Sequence, residues 1–479
     1  MMETAGLWML AAVAIAMLAT GLPAWIVLLG VSLAFAAGGI AMGLFDASLL
    51  EAVYPRLVGL LENDLLQALP LYVLMGVIIN RTALADILFR AARRSLEPTR
   101  RGLPLAGIFL GVLLAPMSGS VGASVAMLSR TLYPRLAAEG FPEDRNVALV
   151  CVASTLGVVV PPSLVLILLG DAMMRAHTEA SHLADLGGRI VNTQDVFHAA
   201  LVPAALLLAL CVAIAAWQGR GAALAASPTG PTRAEWATAI AATALIVALL
   251  AGVTLGYLYA VEAAATGGMA LVAHGFASRA LRLDILSKVL RETMAITGAL
   301  FALLVAATVF TLVQRAFGTD RWLAAAFAGI GGGPGAILAC SLAALALCAL
   351  VLDAFEMIFV VVPLIIPALL VRVPDAPWVA VLTLLILQAS FLIPPFGYAV
   401  LMARGRLESC VGTAALARAL LPFVAAQLLV VALVIAFPGM LWRDAGSSPQ
   451  ALPGAATPSN DALREMLDKQ LEQGDEPRK

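Results

Sequence analysis

Long uncharged runs of apolar residues recur along the whole chain, and charged residues or Pro and Gly separate one run from the next. An apolar run of about 20 residues is long enough to cross a hydrocarbon layer about 30 Å thick as a helix. The pattern therefore predicts an all-α polytopic membrane protein. Ten spans are predicted, at residues 7–20, 23–41, 67–88, 146–169, 197–217, 236–258, 262–277, 290–314, 378–401 and 411–438.

Two further apolar regions, 103–133 and 334–371, carry polar or helix-breaking residues at their middle. We interpret both as re-entrant helical hairpins, which enter and leave the membrane on the same side. Residues 42–66 mix charged residues with leucines at helical spacing, which predicts an interfacial helix. The stretch 171–196 is predicted to be a polar extracytoplasmic excursion, and 443–479 a flexible linker followed by a short charged helix.

The basic residues favour this arrangement of spans and hairpins. With both hairpins re-entrant, the loops on one side hold 17 Lys and Arg residues against 6 in the opposite loops. Cytoplasmic loops of membrane proteins carry such an excess. The bias predicts that both termini face away from the cytoplasm. The loops on the basic side are 89–102, 130–145, 218–235, 278–291 and 402–418.

The composition agrees with a membrane protein and excludes several functions. The chain is 62% hydrophobic and 12% charged, whereas soluble domains carry roughly 25% charged residues. A formal net charge of −1 gives no reason to expect a nucleic-acid partner. The five cysteines show no CxxC spacing, no P-loop motif occurs, and the four histidines are scattered. We therefore predict that the chain is not an enzyme and binds no cofactor.

A hairpin followed by a double proline occurs twice in the sequence. Pro161-Pro162 lies 43 residues after Ser118, in the cluster SGSVGAS (118–124), and Pro394-Pro395 lies 41 residues after Asp353, in the acidic break LDAFE (352–356). The two double prolines are about 233 residues apart. In the predicted topology the first hairpin opens to the cytoplasm and the second to the outside. This inverted repeat is the layout of many secondary transporters.

Each double proline predicts a broken helix, around 154–163 and 388–397, because proline lacks an N–H and restricts the residue before it. Inside a membrane, unwound backbone is tolerated where it is buried in protein or lines a cavity. Freed carbonyls can coordinate a cation, and the N-termini of half-helices suit a carboxylate. The alternatives without a binding role are that the prolines only kink their helices and that the small residues only allow close helix packing.

Asp353 and Glu356 are the acidic residues set deepest in an apolar stretch. A carboxylate at mid-membrane depth costs a few kcal/mol, so a functional role is the default interpretation. The alternative is that both lie shallower, at the mouth of the second hairpin.

Six runs of sequence resemble the large membrane subunit of tripartite ATP-independent periplasmic (TRAP) transporters, and together they cover most of residues 5–440. The last two look most like the branch named for mannitol and chloroaromatic compounds. The runs are ALPLYVLMGVIINRTALADILF (68–89), APMSGSVGASVAMLSRTLYP (115–134), ASTLGVVVPPS (153–163), GYLYAVEAAATGG (256–268), LDAFEMIFVVVPLIIP (352–367) and LQASFLIPPFGYAVLMARG (387–405).

The resemblance implies an elevator-type, sodium-driven importer of the ion transporter superfamily in the bacterial inner membrane. It also implies two partners, a small four-helix membrane subunit and a periplasmic substrate-binding protein, with a small organic anion, usually a carboxylate, as cargo. The alternative is a stand-alone transporter of the same fold, coupled to protons or sodium.

The resemblance also implies the site residues. Sodium is expected near Ser118, Ser120, Ser154, Asp353 and Ser390. Ile393 stands where the family often has Thr, and YAVEAAA (259–265) where it has TPTEAAA, so a second sodium site is less secure than one near the first hairpin. The full set is Ser118, Gly119, Ser120, Gly122, Ser124, Ser154, Thr155, Gly157, Pro161, Pro162, Asp353, Glu356, Ser390, Pro394, Pro395 and Gly397.

The chain divides, on these predictions, into parts that follow the repeat. They are scaffold helices with an interfacial helix at 1–66, a first repeat at 67–217, a cytoplasmic linker at 218–235, scaffold helices at 236–333, the core of a second repeat at 334–438, and a flexible polar tail at 439–479.

Overall fold

The computed structural model describes residues 2–96, 102–117, 120–160, 163–184, 191–219, 231–329, 333–350, 352–407 and 411–441, and its regular structure there is helical. The first half of the chain contains α1 (Met2–Thr20), α2 (Ala24–Ala41), α3 (Ser48–Glu51), α4 (Val53–Leu61), α5 (Asp64–Arg81), α6 (Leu84–Ser95), α7 (Gly102–Leu114), α8 (Val121–Thr131), α9 (Tyr133–Ala138), α10 (Glu143–Val159), α11 (Leu164–Ala184) and α12 (Thr193–Gln218).

The second half begins after a segment that lies outside the described residues, as does the predicted tail from 442 onward. Its helices are α13 (Arg233–Thr254), α14 (Ala260–Ala277), α15 (Leu283–Ala316), α16 (Thr319–Gly329), α17 (Gly333–Cys348), α18 (Ala354–Glu356), α19 (Val362–Leu370), α20 (Ala376–Phe391), α21 (Tyr398–Arg406) and α22 (Thr413–Ala436). A π-helical segment, Met357–Val361, joins α18 to α19.

Five of the described helices are long and apolar enough to cross a membrane, namely α2, α12, α13, α15 and α22. They coincide with the spans predicted at 23–41, 197–217, 236–258, 290–314 and 411–438. Two bent pairs raise the number to as many as seven: α3 and α4 meet α5 at 56°, and α10 meets α11 at 42°. The predicted spans 7–20 and 262–277 are helices α1 and α14.

The prediction of one span over 67–88 is wrong at its end. Helix α5 stops at Arg81, and residues from Leu84 onward form the separate helix α6. This helix is strongly amphipathic, with Leu84, Leu88 and Phe89 buried and several arginines in its second half. Such a helix cannot continue an apolar span, because its charged residues need water or ion-pair partners. Arg93 finds one in Glu139, with their side-chain atoms 3.1 Å apart.

The polar stretch beginning at residue 171 is helical as far as Ala184, since α11 runs through it. Its polar side chains are paired along the helix. Arg175 donates to Asp171 at 3.0 Å, and Thr178 donates to the Met174 carbonyl at 2.9 Å. Bonds of this i to i+4 kind let polar residues continue a helix without leaving it.

Both predicted hairpins consist of two helices with a break between them. In the first, α7 ends at Leu114 and α8 begins at Val121; in the second, α17 ends at Cys348 and α18 begins at Ala354. At 1.5 Å per residue, the 13 residues of α7 extend about 20 Å and the 16 residues of α17 about 24 Å. Neither helix alone reaches across about 30 Å of hydrocarbon. That the hairpins are re-entrant stays a prediction.

The two halves of the chain share one order of elements. Nine elements of the first half have a counterpart in the second half, in the same order along the chain. The first-half elements are α1, α2, α5, α6, α7, α8, α10, α11 and α12, and their counterparts are α13, α14, α15, α16, α17, α18–α19, α20, α21 and α22. They also share one set of packing partners: α2 packs on α15 as α14 packs on α5, α7 on α10 as α17 on α20, and α8 on α21 as α19 on α11. Each of these contacts thus has a counterpart between the equivalent helices, as expected for a pseudo-two-fold repeat. The opposite orientation of the halves stays a prediction.

Helices α10 and α20 lie at the centre of the molecule and pack against each other. Residues 146–159 of α10 are all buried, and so is nearly all of α20. A helix that is apolar on every side belongs in a protein interior. Each helix ends shortly before a double proline, so both breaks adjoin buried central helices.

Candidate functional site

The first break lies between α10, which ends at Val159, and α11, which begins at Leu164. Pro161 and Pro162 lie outside the described residues. Ser163 joins the two halves of the break, because its hydroxyl donates to the Val158 carbonyl at 3.0 Å and accepts from the Leu166 N–H at 3.0 Å. It therefore acts as an N-cap for α11. Ser163 is not among the predicted site residues, although a serine between a double proline and an apolar helix is an N-cap signal in the sequence.

The tip of the first hairpin ends at Ser120, the N-cap of α8, while Ser118 and Gly119 lie outside the described residues. The Ser120 hydroxyl accepts from the Ala123 N–H at 3.1 Å. The Ser124 hydroxyl donates to the Ser120 carbonyl at 3.1 Å. These bonds fix two of the predicted hydroxyl groups at the start of α8.

A cavity of about 10 Å³ lies between this tip and the first break. Ser120, Ser124, Ser154 and Gly157 line it, so the structure brings four of the predicted residues together. The volume corresponds to about one water-sized particle. The Ser154 hydroxyl donates its proton to the Val150 carbonyl at 2.6 Å, so its oxygen can offer lone pairs to a cation. Three serines line this space among apolar residues, and hydroxyl oxygens are ligands that a small hard cation accepts.

Gly157 sets how closely the first hairpin approaches α10. A Cβ atom at this position would lie 2.3 Å from the carbonyl carbon and 2.6 Å from the carbonyl oxygen of Ala115. A residue with a side chain therefore cannot occupy the position unless the backbone moves. Thr155 is buried nearby, but its hydroxyl donates to the Val152 carbonyl at 2.9 Å and it does not line the cavity.

The predicted acidic pair at the second hairpin caps a helix. The Asp353 carboxylate accepts from the Ala354 N–H at 2.7 Å, and Glu356 accepts from the Asp353 N–H at 3.1 Å. Together they form the capping box of α18. Both residues are half-buried. The structure thus gives each acid a structural contact and leaves a second role open to experiment.

The second break follows Phe391 and ends where α21 begins at Tyr398. Ser390 is buried just before it, Pro394 is partly exposed, and Pro395 is exposed. Gly397 allows the chain after the break to lie close to the end of α20, since a Cβ atom there would lie 2.5 Å from the Phe391 carbonyl oxygen. Neither Ser390 nor Asp353 lines the cavity at the first tip.

Tyr398, which is not among the predicted site residues, lies between the first hairpin tip and the acidic pair of the second hairpin. Its hydroxyl oxygen lies 3.1 Å from the place of a Cβ atom on Gly122, so the ring covers the start of α8. The negative charges of Asp353 and then Glu356 act on the same hydroxyl. The ring packs against Phe391, with the ring centres 6.1 Å apart. The phenol thus contacts the start of α8 and lies within electrostatic range of the acids of the second hairpin.

Removing this hydroxyl tests whether the two groups work together. Tyr398→Phe keeps the ring contact with Phe391 and removes the hydroxyl group on which the charges of both acids act. If the chain takes up its cargo with sodium, as the sequence predicts, we expect the sodium concentration for half-maximal uptake to rise by about three- to tenfold, the range of one ordinary polar interaction. If the sodium dependence of uptake into vesicles is unchanged, the Tyr398 hydroxyl has no role in sodium binding and the ring serves only in packing.

The sequence matches the family described as the DctM component of the tripartite ATP-independent periplasmic transporter over residues 11–440. It is 28% identical over 282 residues to the C4-dicarboxylate TRAP transporter large permease protein of Pseudomonas aeruginosa, a match that covers 58% of this chain and 62% of that protein. It is 24% identical over 402 residues to the sialic acid TRAP transporter permease protein of Haemophilus influenzae, with 82% and 62% covered.

A third relative, the ectoine TRAP transporter large permease protein of Halomonas elongata, is 24% identical over 407 residues, covering 81% of this chain and 88% of that protein. The chain thus spans less than two thirds of the length of the first of these relatives. Among solved structures, that of the Alcanivorax borkumensis YdaH transporter is similar with a TM-score of 0.59 and 19% identity, over 83% of this chain and 90% of that chain. This likeness concerns the fold alone.

Proposed function

This chain belongs to the DctM family, the large permease component of TRAP transporters, and we propose that it imports a small organic anion together with sodium ions across the bacterial inner membrane. The observation that carries the proposal is the pairing of each hairpin tip with a broken helix, repeated in the two halves of the chain. Two of the relatives are named for acids, C4-dicarboxylates and sialic acid, which supports an anionic cargo.

Sodium coupling is proposed from the cavity at the first tip. Its serines supply neutral oxygens, and its volume of about 10 Å³ suits one small ion. Sodium here is cargo that moves with the anion. We assign a second ion to the side of Asp353 and Ser390, where the carboxylate would compensate for the hydroxyl that Ile393 lacks.

An elevator movement is proposed from the packing. Helices α7, α8, α10 and α20 pack on one another around the two breaks, whereas α2, α5, α14 and α15 pack among themselves. We propose that the first group carries the cargo past the second group, which stays fixed as a scaffold. Rigid-body movement of one part of a repeat against another is the usual route of alternating access.

We propose the two partners that the family name implies, a small four-helix membrane subunit and a periplasmic substrate-binding protein. The test is uptake into vesicles that contain the chain alone, the chain with the small subunit, or all three components. We expect uptake only with all three, and ligand identification on the co-encoded binding protein would then name the anion. Equal uptake by the chain alone would favour the stand-alone alternative.

A further inference from the structure

A second cavity, of about 810 Å³, lies apart from the cavity at the first tip and is of a size typical for small-molecule sites. Its wall is formed by α4, α11, α15 and the π-helical segment of the second hairpin. Three arginines, Arg56, Arg175 and Arg315, line it. All three belong to the few basic residues that the charge bias assigns to the extracytoplasmic side. In the predicted orientation, the cavity faces the side from which the cargo of an importer arrives.

The charges that line this cavity do not cancel. Two carboxylates line it, and each is already paired: Asp171 with Arg175 at 3.0 Å, and Glu179 with Arg315 at 2.5 Å. Arg56 takes part in no ion pair among the residues that the structure describes. The positive charge of Arg315 and the negative charge of Glu179 both act on it. The lining thus holds three guanidinium groups against two carboxylates, and the negative charge of Asp320, outside the lining, also acts on Glu179.

We propose that this cavity is an entry site for the carboxylate cargo, in which Arg56 and Arg315 bind one carboxylate of the anion. Guanidinium groups bind carboxylates with two parallel hydrogen bonds, so a pair of them suits such a ligand. Thr308 and Thr311 add hydroxyl groups to the wall from α15. The inference rests on the proposed function and adds to it a second binding site, distinct from the hairpin tips.

Glu179 competes with the cargo in this arrangement. Its bond to Arg315 connects α11, which follows the moving helix α10 directly in the chain, with the scaffold helix α15. A carboxylate that takes over Arg315 frees Glu179 and breaks this connection. Binding at the entry site then favours release of α11 from α15, which is what an elevator movement requires.

The test uses two exchanges with opposite expected signs and one control. Arg56→Gln removes a ligand of the carboxylate, and Glu179→Gln removes its competitor while keeping the side-chain size. Arg372→Gln is the control, since Arg372 is exposed, is assigned to the same side and does not line the cavity. Binding of succinate to the purified full-length chain is measured by calorimetry in neutral detergent without sodium.

We expect Arg56→Gln to weaken succinate binding about tenfold, which equals about 1.4 kcal/mol, and Glu179→Gln to strengthen it severalfold. Arg372→Gln should bind as the parent chain does. The proposal is wrong if the parent chain does not bind succinate, if Arg56→Gln binds within twofold of the parent, or if Glu179→Gln weakens binding. It is also wrong if Arg56→Gln weakens the binding of added phosphatidylglycerol but leaves the binding of succinate unchanged.

The same variants separate this inference from the proposed function. Sodium-driven uptake that is equal in the parent chain and in Arg56→Gln at every anion concentration would overturn the entry site and leave the import function intact. Uptake by the parent chain that ignores the sodium gradient would overturn the import function, whatever the calorimetry shows.

Discussion

Replacing Gly157 by alanine is expected to reduce uptake at least tenfold. The added methyl group would meet backbone atoms of Ala115 at 2.3 and 2.6 Å, and backbone cannot rotate out of the way as a long side chain can. Overpacking of this kind costs about 1–3 kcal/mol or more, and here the strain falls on the wall of the serine-lined cavity. We therefore expect the first hairpin to move away from α10 and the cavity to lose its shape. The measurement is the initial uptake rate into vesicles, divided by the amount of inserted protein.

The control is Gly335→Ala, in the first turn of α17 in the other hairpin. A Cβ atom there would have no other atom within 4 Å. This exchange should leave uptake unchanged and even raise stability by up to about 1 kcal/mol, because alanine favours a helix over glycine. Parent-like uptake by Gly157→Ala would contradict the assigned cavity. An equal loss in both variants would point to a general intolerance of alanine.

Replacing Asp353 by asparagine is expected to have the next largest effect. Asparagine caps a helix as well as aspartate does, so the contact with the Ala354 N–H can persist while the negative charge is lost. If the carboxylate also binds a cation, the sodium concentration for half-maximal uptake should rise at least tenfold, with unchanged expression and thermal stability. The measurement is the sodium dependence of uptake at constant pH.

A matched control exists at the start of α20, where Asp375 is the N-cap and accepts from the Trp378 N–H at 3.2 Å. Asp375→Asn makes the same chemical change far along the chain from the hairpin tip, and should leave the sodium dependence as it is. If Asp353→Asn alters only the pH dependence of uptake, the proton-coupled alternative is favoured. If it alters nothing, Asp353 is only a helix cap.

The breaks in the two central helices could be read from the sequence, because proline acts locally. Helices α10 and α20 end at Val159 and Phe391, each shortly before its double proline. The span predicted at 67–88 is wrong beyond Arg81, and this error could also have been avoided from the local sequence. Its apolar window ran into α6, whose amphipathic pattern contradicts a span and would have been visible on a helical wheel.

Contacts between distant parts of the chain could not be read in this way. Nothing in the sequence indicates that Gly157 touches the backbone of Ala115, or that Tyr398 covers Gly122 and lies near Asp353. The approach of Arg56 to Glu179 and Arg315 joins three separate segments. The spacing of Asp353 and Glu356, by contrast, is a capping-box signature that can be read from the sequence. The cost of a charge in an apolar region favoured a functional interpretation of the two acids instead.

The central claim is that a sodium gradient drives uptake through the two hairpin and broken-helix pairs. The most direct test is the initial rate of anion uptake into vesicles that contain all three components, first with an inward sodium gradient and then with that gradient collapsed by a sodium ionophore. We expect uptake to fall to the rate of vesicles without the chain, and potassium to be unable to replace sodium. Uptake that continues unchanged after the gradient is collapsed would contradict it.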